Sequence, residues 1–257
     1  MDPNPKVSII IPHFNNYNII KNCLESIKKL TFNNFETIVV DNASSDNSYK
    51  LIKDNHTDIN LIKSKYNRGY AGGCNYGAYF AKGKYLLFLN NDTEQEANFI
   101  EPLVNFLNEN DNVCSVQPKI KSLDNKNNFD YAGAAGGFID YLVFPFCRGR
   151  IFSSVEEDKN QYNDNIKVFW TSGTAFLTRK RIFEQLKGFD EKLFAHMEEI
   201  DYCWKGLLSG YENWVIPESV IYHKGGQTLS YNSANKTYLN HRNSMILLLT
   251  NFSFARS

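Results

Sequence analysis

The first 120 residues alternate between short apolar runs and segments whose apolar side chains recur with helical spacing. Val7–Ile11 and Tyr85–Leu89 are nearly continuous apolar runs, which are typical of parallel strands buried on both faces. Residues 19–30 and 97–107 instead place apolar side chains three and four positions apart, as on one face of an amphipathic helix. This alternation predicts an α/β fold with a doubly wound, mostly parallel central sheet. The predicted strands are 7–11, 37–40, 59–62, 85–89 and 113–120, and the predicted helices begin near residues 19, 45, 72 and 97.

Polar side chains follow three of these strands, at the point where each strand ends. Residues 12–14, 41–42 and 90–92 read Pro-His-Phe, Asp-Asn and Asn-Asn-Asp. Because ligands of doubly wound sheets bind beyond the carboxyl ends of the strands, we expect the three endings to form one site. Asn and Asp also suit turns, so a simple turn is the alternative for residues 90–92.

The alternation stops between Lys121 and Lys167, where polar, small and aromatic stretches follow one another. We predict loops and short strands there, in a region suited to binding loops. Regular structure is expected again as a strand over 168–177, helices over 179–186 and 196–208, and short strands over 214–216 and 220–223. The sequence contains no internal repeat, so residues 1–257 are expected to form one domain with regions 1–120 and 121–257.

Composition excludes several classes of protein. Lysine plus arginine total 28 and aspartate plus glutamate total 28, so the formal net charge is zero and no nucleic-acid binding is expected. The five cysteines form no CxxC pair, and free thiols in a reducing cytoplasm fit them best. The first residues lack the pattern of a signal peptide, and no apolar run approaches the roughly 18 residues that span a membrane. We therefore expect a cytoplasmic protein, which could act at the inner face of the cell membrane.

Two features at the predicted edge could contact an anion or a nucleotide. A carboxylate at Asp41 could accept hydrogen bonds from a nucleobase or a ribose, although a loop residue or helix cap is an equal alternative. Residues 67–75, NRGYAGGCN, place three glycines before a helix, but with neither the dinucleotide-binding nor the Walker spacing. Their backbone amides could approach an anion, or the glycines could allow the helix to pack closely on the sheet.

A few acidic and imidazole side chains are candidates for chemistry. Asp92 is an oxygen ligand of the kind that Mg²⁺ or Mn²⁺ prefers, and His223 at a strand end could complete a metal shell or be structural. Glu198 and Glu199 stand at a helix start, where acids are ordinary because the helix dipole favours them. The functional alternative is that one of the two is a general base.

Six segments, taken in chain order, resemble the family 2 glycosyltransferases of the GT-A fold, and in particular their rhamnosyltransferase-like bacterial branch. The resemblance covers nearly the whole chain apart from residues 121–167. The segments are VSIIIPHFNN (7–16), VDNASSDNS (40–48), NRGYAGGCNYG (67–77), LLFLNNDTE (86–94), GTAFLTRKRIFEQLKGFDEKLFAHMEEIDYCWKGLLSGY (173–211) and VIYHKGGQT (220–228).

The resemblance implies transfer of a sugar from a nucleotide-diphosphate donor, dTDP- or UDP-linked, to a hydroxyl of a saccharide or lipid-linked acceptor, with inversion at the anomeric carbon. It implies work in cell-surface polysaccharide biosynthesis and leaves peripheral membrane association open. Residues to about 120 would form the nucleotide-sugar-binding half, and the remainder the acceptor-binding and catalytic half. The implied donor-binding residues are Pro12, Phe14, Asp41, Asn67, Gly69 and Asn91.

The resemblance also assigns the metal and the base. Asp92 matches the metal-ligating aspartate of the family's Asp-x-Asp-type motif, and His223 matches a histidine that approaches the metal and the diphosphate in some members. Mn²⁺ or Mg²⁺ is therefore the expected cofactor. Glu198-Glu199 matches the family's Glu-Asp pair, whose second member is the usual base, so Glu199 is the first candidate and Glu198 the second.

Two departures from the family pattern bear on these roles. Asn90 stands at the first acidic place of the Asp-x-Asp motif, so the expected metal site carries less charge. Glu199 stands where the family has Asp, and its extra methylene leaves open which of the two glutamates reaches the acceptor. A catalytically weak nucleotide-sugar-binding module is therefore one alternative. A nucleotidyltransferase is another, although residues 13–16 lack the glycine-rich basic loop expected of that class.

Overall fold

The computed structural model of the protein describes residues 4–152, 154–225 and 233–252. These residues form a large sheet, two small hairpins and helices on both faces of the sheet. The strands are β1 Val7–His13, β2 Phe35–Asp41, β3 Asn60–Lys63, β4 Tyr85–Leu89, β5 Thr93–Gln95, β6 Val113–Ser122, β7 Gly137–Ile139, β8 Pro145–Cys147, β9 Arg150–Ile151, β10 Ser154–Val155, β11 Ile166–Val168, β12 Ala175–Arg179 and β13 Glu212–His223. The α-helices are α1 Tyr17–Ile27, α2 Ser48–Asn55, α3 Gly69–Phe80, α4 Ile100–Glu109, α5 Lys180–Gln185, α6 Glu198–Leu208 and α7 Ala234–Asn251, and Glu191–Leu193 forms a short 3₁₀ helix.

The central sheet has nine strands among the described residues. Its order is β11-β13-β6-β12-β4-β1-β2-β3, and β5 pairs with β13. Strands β1 to β4 run parallel to one another, β12 is antiparallel to its neighbours β4 and β6, and β6 is parallel to β13. Because β5 and β11 are antiparallel to β13, six of these nine strands point the same way. The expected α/β class with a mostly parallel sheet is confirmed.

The central strand β1 is buried on both faces. All seven of its residues are buried, and successive side chains enter two different cores. Ile9 and Ile11 pack with α1, α2 and α4, whereas Ile10 packs with α3, α5, α6 and α7. The apolar run in the sequence thus reflects a strand that meets apolar side chains on each side. Its polar residues are Ser8, whose hydroxyl group donates to a carboxylate oxygen of Glu36 at 2.6 Å, and His13 at its carboxyl end.

The structure divides one predicted strand, joins two others, and places several helix starts two or three residues from their predicted positions. The strand expected over 168–177 is divided into β11 and β12, because residues 169–174 leave the sheet as a loop. The strands expected over 214–216 and 220–223 are one continuous strand, β13, with an irregularity in its pairing between Ile216 and Val220. Helix α6 begins two residues later than predicted, since His196 and Met197 have positive φ angles that a right-handed helix does not contain.

The region between residues 121 and 167 contains short strands and loops, as predicted. Strand β7 pairs antiparallel with β8, and β9 pairs antiparallel with β10. Strand β6 lies in the first of the two predicted regions and pairs along its length with β13 of the second. Both regions therefore contribute strands to one sheet.

The glycine-rich helix α3 packs closely on β1 and β2. A Cβ atom at Gly77 would lie 2.5 Å from Cγ2 of Ile10 and 3.1 Å from Cγ2 of Val40. At the start of the helix, Gly69 has φ of +69°, and a Cβ there would overlap the carbonyl oxygen of Phe194. The close-packing explanation of the glycine run is therefore correct for this helix, and a role at its amino end is compatible with it.

A buried side-chain amide of helix α7 forms hydrogen bonds to residues 193–196, the segment that precedes α6. Asn243 has no exposed surface, and its Nδ2 lies 2.9, 3.0 and 2.7 Å from the carbonyl oxygens of Leu193, Ala195 and His196. Arg242 donates to the carbonyl of Leu193 as well, at 2.9 Å. Asn243 thus supplies a buried donor to the carbonyl oxygens of Ala195 and His196, and it adds to the backbone N–H of Ala195 and the guanidinium of Arg242 at the Leu193 carbonyl.

Within the described ranges, no helix is long and apolar enough to cross a membrane. The apolar residues near the end of α7 instead include Leu247, which is buried in the core.

We predict that Asn243→Ala destabilises the protein by roughly 3 kcal/mol, because it leaves buried carbonyls without a donor. That loss corresponds to a fall in Tm of roughly 6–12 °C, measurable by calorimetry or circular dichroism. Met245→Ala, at an exposed position of the same helix, is the matched control and should change Tm little. Equal shifts in the two variants would contradict the role given to Asn243.

Candidate active site

A cavity of about 690 Å³ lies at the carboxyl edge of the parallel strands. The ends of β1 and β4 form one wall, the start of α6 another, and the loop after β11 a third. Nine of the ten residues singled out in the sequence line this cavity. They are Pro12, Phe14, Asn67, Gly69, Asn91, Asp92, Glu198, Glu199 and His223.

Asp41 is the tenth residue, and it does not line the cavity. Its side chain is fully buried at the end of β2, and neither carboxylate oxygen has a hydrogen-bond partner among the described residues. A buried carboxylate without donors is unusual, since burial of an unpaired polar group is unfavourable. The expected contact of Asp41 with a nucleobase therefore stays a prediction that requires the neighbouring chain to move.

His223 lies between two carboxylates. Its Nε2 is 3.1 Å from Oδ1 of Asp92, and its Nδ1 is 3.0 Å from Oδ2 of Asp130. Burial alone would lower the pKa of His223, but the two carboxylates outweigh it, Asp92 first, and raise the pKa to about 10. Burial likewise raises the pKa of Asp92, but the facing imidazolium of His223 lowers it by more, so the pKa of Asp92 falls below its usual value. The pair is therefore an ion pair at neutral pH.

Strand pairing explains how residues so distant in sequence meet. Thr93 pairs with His223 in the antiparallel β5–β13 ladder, and the backbone N–H of Lys224 donates to the carbonyl of Asp92 at 3.0 Å. These bonds hold the end of β13 beside the turn that follows β4. Asp92 is thus presented to the cavity next to the imidazole of His223.

The three residues 90–92 do different things in the structure. The carbonyl of Asn90 accepts a hydrogen bond from the Thr93 hydroxyl at 2.8 Å, which is a turn interaction. Nδ2 of Asn91 lies 2.9 Å from Nδ1 of His13, whose pKa is lowered to about 4 by burial, with Asp46 opposing. The turn explanation therefore holds for Asn90, and the role of Asp92, the one charged side chain of the three, as a metal ligand stays a prediction.

Asp92 and His223 offer a carboxylate oxygen and an imidazole nitrogen to a divalent ion. In the part of the chain that the structure describes, no three His, Cys, Asp or Glu side chains are grouped so as to hold a metal ion. Mg²⁺ and Mn²⁺ sites commonly use one or two carboxylates and complete the shell with substrate phosphates and water. The donor set fits a divalent ion that binds together with a diphosphate.

Glu198 and Glu199 begin α6 and line the same cavity as the ends of β1 and β4. A Cβ at Gly173 would lie 3.4 Å from the carboxyl carbon of Glu199 and 3.7 Å from Oε1 of Glu198, so both carboxyl groups stand beside this glycine. Each glutamate has one buried oxygen, Oε2, without a hydrogen-bond partner among the described residues. These oxygens belong to residues that line the cavity, where a hydroxyl group could occupy the unused lone pairs.

The two carboxyl groups differ in their electrostatic surroundings. Burial, and then the charge of Glu199, raises the pKa of Glu198 well above its usual value. Burial also raises the pKa of Glu199, but backbone N–H groups, including those of Gly173 and Ile200, oppose the rise. A pair of this kind shares its protons, and the hydrogen bonds to Glu199 favour its ionised form. The arrangement can therefore supply one carboxylate base beside one neutral carboxyl group.

The loop that leads into α6 has a strained backbone. Phe194, His196 and Met197 all have φ between 63° and 73°, a region that side chains with a Cβ rarely adopt. The hydrogen bonds from Asn243 hold this loop on one side, and the backbone N–H of Ala71 donates to the Phe194 carbonyl at 3.1 Å on the other. The start of α6, and with it the glutamate pair, is fixed by contacts from two other helices.

Several residues in or beside the cavity were not found from the sequence. Asp130 is separated from His223 by 93 positions and precedes no strand end that would have marked it. Arg150, Trp170 and Lys236 also line the cavity, and the first lies in the region that resembles no family segment. Gly173, which lies beside the two glutamates, could have been found from the small residues Ser172, Gly173 and Thr174, but these were interpreted as part of a strand.

The sequence matches the family model for glycosyl transferase family 2 over residues 8–187. The UDP-Glc:alpha-D-GlcNAc-diphosphoundecaprenol beta-1,3-glucosyltransferase WfgD of Escherichia coli is 33% identical over 105 residues, which are 40% of this chain and 42% of that protein. A low-salt glycan biosynthesis hexosyltransferase of Haloferax volcanii is 26% identical over 262 residues, covering 98% of this chain and 77% of that protein. The chain thus spans less than half the length of the first of these relatives.

Solved structures share the fold. A mannosyltransferase from Pyrobaculum calidifontis, in complex with GDP-Man and Mn²⁺, superposes with a TM-score of 0.65 over 96% of this chain and 63% of that one, at 16% identity. Identity this low shows the fold alone. Because the family model matches well over half of the residues of this chain, the chain belongs to glycosyl transferase family 2.

Proposed function

We propose that the protein is an inverting glycosyltransferase that moves a sugar from a nucleotide-diphosphate donor to a hydroxyl of a saccharide or lipid-linked acceptor, in the biosynthesis of a cell-surface polysaccharide. The observation that carries this proposal is that the Asp92–His223 pair and the Glu198–Glu199 pair line the same cavity. One pair suits a metal-bound diphosphate and the other suits a hydroxyl that loses a proton.

The donor is best accommodated against the ends of β1 and β4. Pro12 and Phe14 offer apolar surface to the nucleotide, and Asn67 and Asn91 offer hydrogen bonds at the same wall. The amino end of α3, at Gly69, faces the cavity with its helix dipole, which favours an anion. The Escherichia coli relative is a glucosyltransferase that uses UDP-Glc, which supports a UDP-linked hexose over a dTDP-linked sugar or rhamnose.

Asp92 and His223 are the residues that would hold a divalent ion, Mn²⁺ or Mg²⁺. When bound, such an ion stabilises the negative charge that develops on the departing diphosphate. The Mn²⁺ in the archaeal mannosyltransferase structure supports this choice of cofactor.

Glu199 is the proposed general base. Its ionised form is favoured by hydrogen bonds from backbone N–H groups, whereas the pKa of Glu198 is raised well above its usual value by burial and by the charge of Glu199. The acceptor oxygen bonds to the anomeric carbon as the bond from that carbon to the diphosphate oxygen breaks. The acceptor proton passes to Glu199, and the bonding electrons leave with the nucleotide diphosphate.

A catalytically weak nucleotide-sugar-binding module is the second candidate. This candidate is favoured by Asn90, which stands where the family motif has an acidic residue. Asp92 is therefore the single carboxylate of residues 90–92. Slow hydrolysis of the donor, which requires no acceptor, separates the two candidates. An enzyme releases free sugar and nucleoside diphosphate over time, and a binding module does not.

We predict that Glu199→Gln lowers kcat by roughly 10²–10⁴-fold and leaves donor affinity nearly unchanged, because only the base is removed. Donor hydrolysis or sugar transfer measures the first quantity, and titration calorimetry measures the second. Glu218→Gln, at an exposed position of β13, is the control. A larger loss of kcat in Glu198→Gln than in Glu199→Gln would reverse the assignment.

We predict that Asp92→Asn removes the gain in Tm that Mn²⁺ gives to the protein with UDP-glucose. A ligand that binds the folded state raises apparent stability by mass action, so a thermal-shift panel of UDP-, dTDP- and GDP-sugars with and without Mn²⁺ measures the effect. Asp124→Asn, at an exposed position, should keep the full metal-dependent shift. If the Asp92 variant also keeps it, this aspartate is not the metal ligand.

Metal binding should also be coupled to proton release. His223, with its pKa of about 10, is protonated at neutral pH, and a metal ligand must be a neutral imidazole. Metal affinity in the presence of donor should therefore rise as the pH is raised from 6 towards 10. Calorimetry in two buffers with different heats of ionisation measures the released proton, and His223→Gln should abolish the release. If the ion binds to the unaltered protein without release of a proton, His223 does not bind it as a neutral imidazole.

A further inference from the structure

Asp130 is a buried carboxylate that contacts one ring nitrogen of His223. Its Oδ2 lies 3.0 Å from Nδ1 of His223, and the residue is only 5% exposed. The other ring nitrogen, Nε2, lies 3.1 Å from Oδ1 of Asp92. Asp92 and His223 are among the described residues that line the cavity, and Asp130 is not. Asp130 therefore supports the imidazole from outside the cavity, at a different nitrogen from the one that faces Asp92.

The main chain fixes the position of Asp130 beside β13. The backbone N–H of Asp130 donates to the carbonyl of Ile120 at 3.0 Å, and the preceding residue, Phe129, is fully buried. Ile120 belongs to β6, where it pairs with Ile221 of β13, two residues before His223. The sheet thus holds the backbone on both sides of the hydrogen bond between the carboxylate and the imidazole.

The carboxylate of Asp130 is also oriented by a second donor. The oxygen that faces Nδ1 of His223 accepts a hydrogen bond from the backbone N–H of Ala132 at 2.7 Å. An ionised carboxylate only accepts hydrogen bonds, so Nδ1 is the nitrogen that carries a hydrogen in this contact. A carboxylate bonded to a metal-ligating imidazole in this way fixes the tautomer and the orientation of the ring. Nε2, the nitrogen next to Asp92, is then the one available to an ion.

We propose that Asp130 is a positioning residue of the metal site, which keeps the hydrogen of His223 on Nδ1 and directs Nε2 towards Asp92 and the ion. This inference rests on the proposed function, because it requires that Asp92 and His223 bind a divalent ion. It adds a residue of the region 121–167, which resembles no family segment, to those that determine metal affinity.

Replacement of Asp130 should weaken metal binding although no metal ligand is removed. The affinity for Mn²⁺ is measured by titration calorimetry with saturating UDP, at a temperature below the Tm of every variant. Asp130→Ala should lower this affinity about 10–100-fold. Asp130→Asn should lower it less, because the oxygen of the amide can still accept a hydrogen bond from Nδ1 of His223.

Asp158→Ala is the matched control for the loss of a buried carboxylate from the same region. The side chain of Asp158 is 5% exposed, and its Oδ2 lies 3.2 and 3.1 Å from Nζ of Lys119 and Lys121. Removal of this carboxylate leaves buried lysines without their partner and should lower Tm. It should change the Mn²⁺ affinity less than about twofold, since Asp158 bonds these lysines and not His223. Equal losses of Mn²⁺ affinity in Asp158→Ala and Asp130→Ala would contradict the role given to Asp130.

A double-mutant cycle tests whether Asp130 acts through the imidazole. If it does, adding Asp130→Ala to the His223→Ala protein should lower the Mn²⁺ affinity by less than about twofold further. The same fold-loss with and without His223 would overturn the proposal, because Asp130 would then act on the site by another route, such as its charge.

Failure of this inference is distinguishable from failure of the proposed function. If the unaltered protein binds Mn²⁺ in the presence of UDP and Asp130→Ala binds it equally well, the positioning role alone is wrong. If the unaltered protein does not bind Mn²⁺ at all, the metal site of the proposed function is wrong, and the positioning role is wrong with it.

Discussion

Burial of β1 and β4 on both faces is the constraint from which the site follows. In a strand that meets apolar side chains above and below, polar side chains are unfavourable unless they are hydrogen-bonded, as Ser8 is to Glu36, so most polar side chains lie near its ends. In this chain the carboxyl ends of the parallel strands lie at one edge, so Pro12, Phe14, Asn91 and Asp92 reach the same cavity. The second half of the sheet extends this edge, because β13 runs in the same direction as β1 and ends in His223.

The side of the cavity that carries the two glutamates is built differently. Glu198 and Glu199 stand at the start of a helix, behind a loop with three residues of positive φ. Neither feature is favourable by itself, since buried carboxyl groups repel one another and strained backbone raises the free energy of the folded state. The hydrogen bonds from Asn243 and the close approach of α3 offset this cost. Strain and raised pKa values at one place are common at sites that perform chemistry.

The sequence predicted well whatever depends on local pattern. The strands ending at His13, Asp41 and Leu89 were found because apolar runs are interrupted there by polar residues, and the family membership inferred from the motifs is confirmed. Interactions between distant segments could not be predicted. The contact of Asp130 with His223, the break between β11 and β12 and the burial of Asp41 all follow from pairing and packing across the fold, which local periodicity does not encode. The metal, the base and the sugar donor stay predictions.

The position of Asn243 has a consequence for the order in which the molecule is made. Its amide bonds residues 193–196 from about 50 positions further along the chain. During synthesis, the strands, the cavity walls and both glutamates emerge from the ribosome before the helix that fixes their approach. A nascent chain that has reached residue 225 therefore contains every side chain proposed to bind the nucleotide sugar or to move a proton. It still lacks Asn243, whose amide donates the hydrogen bonds that restrain the loop before α6. The restraint on this loop would begin only once α7 has been synthesised and has docked.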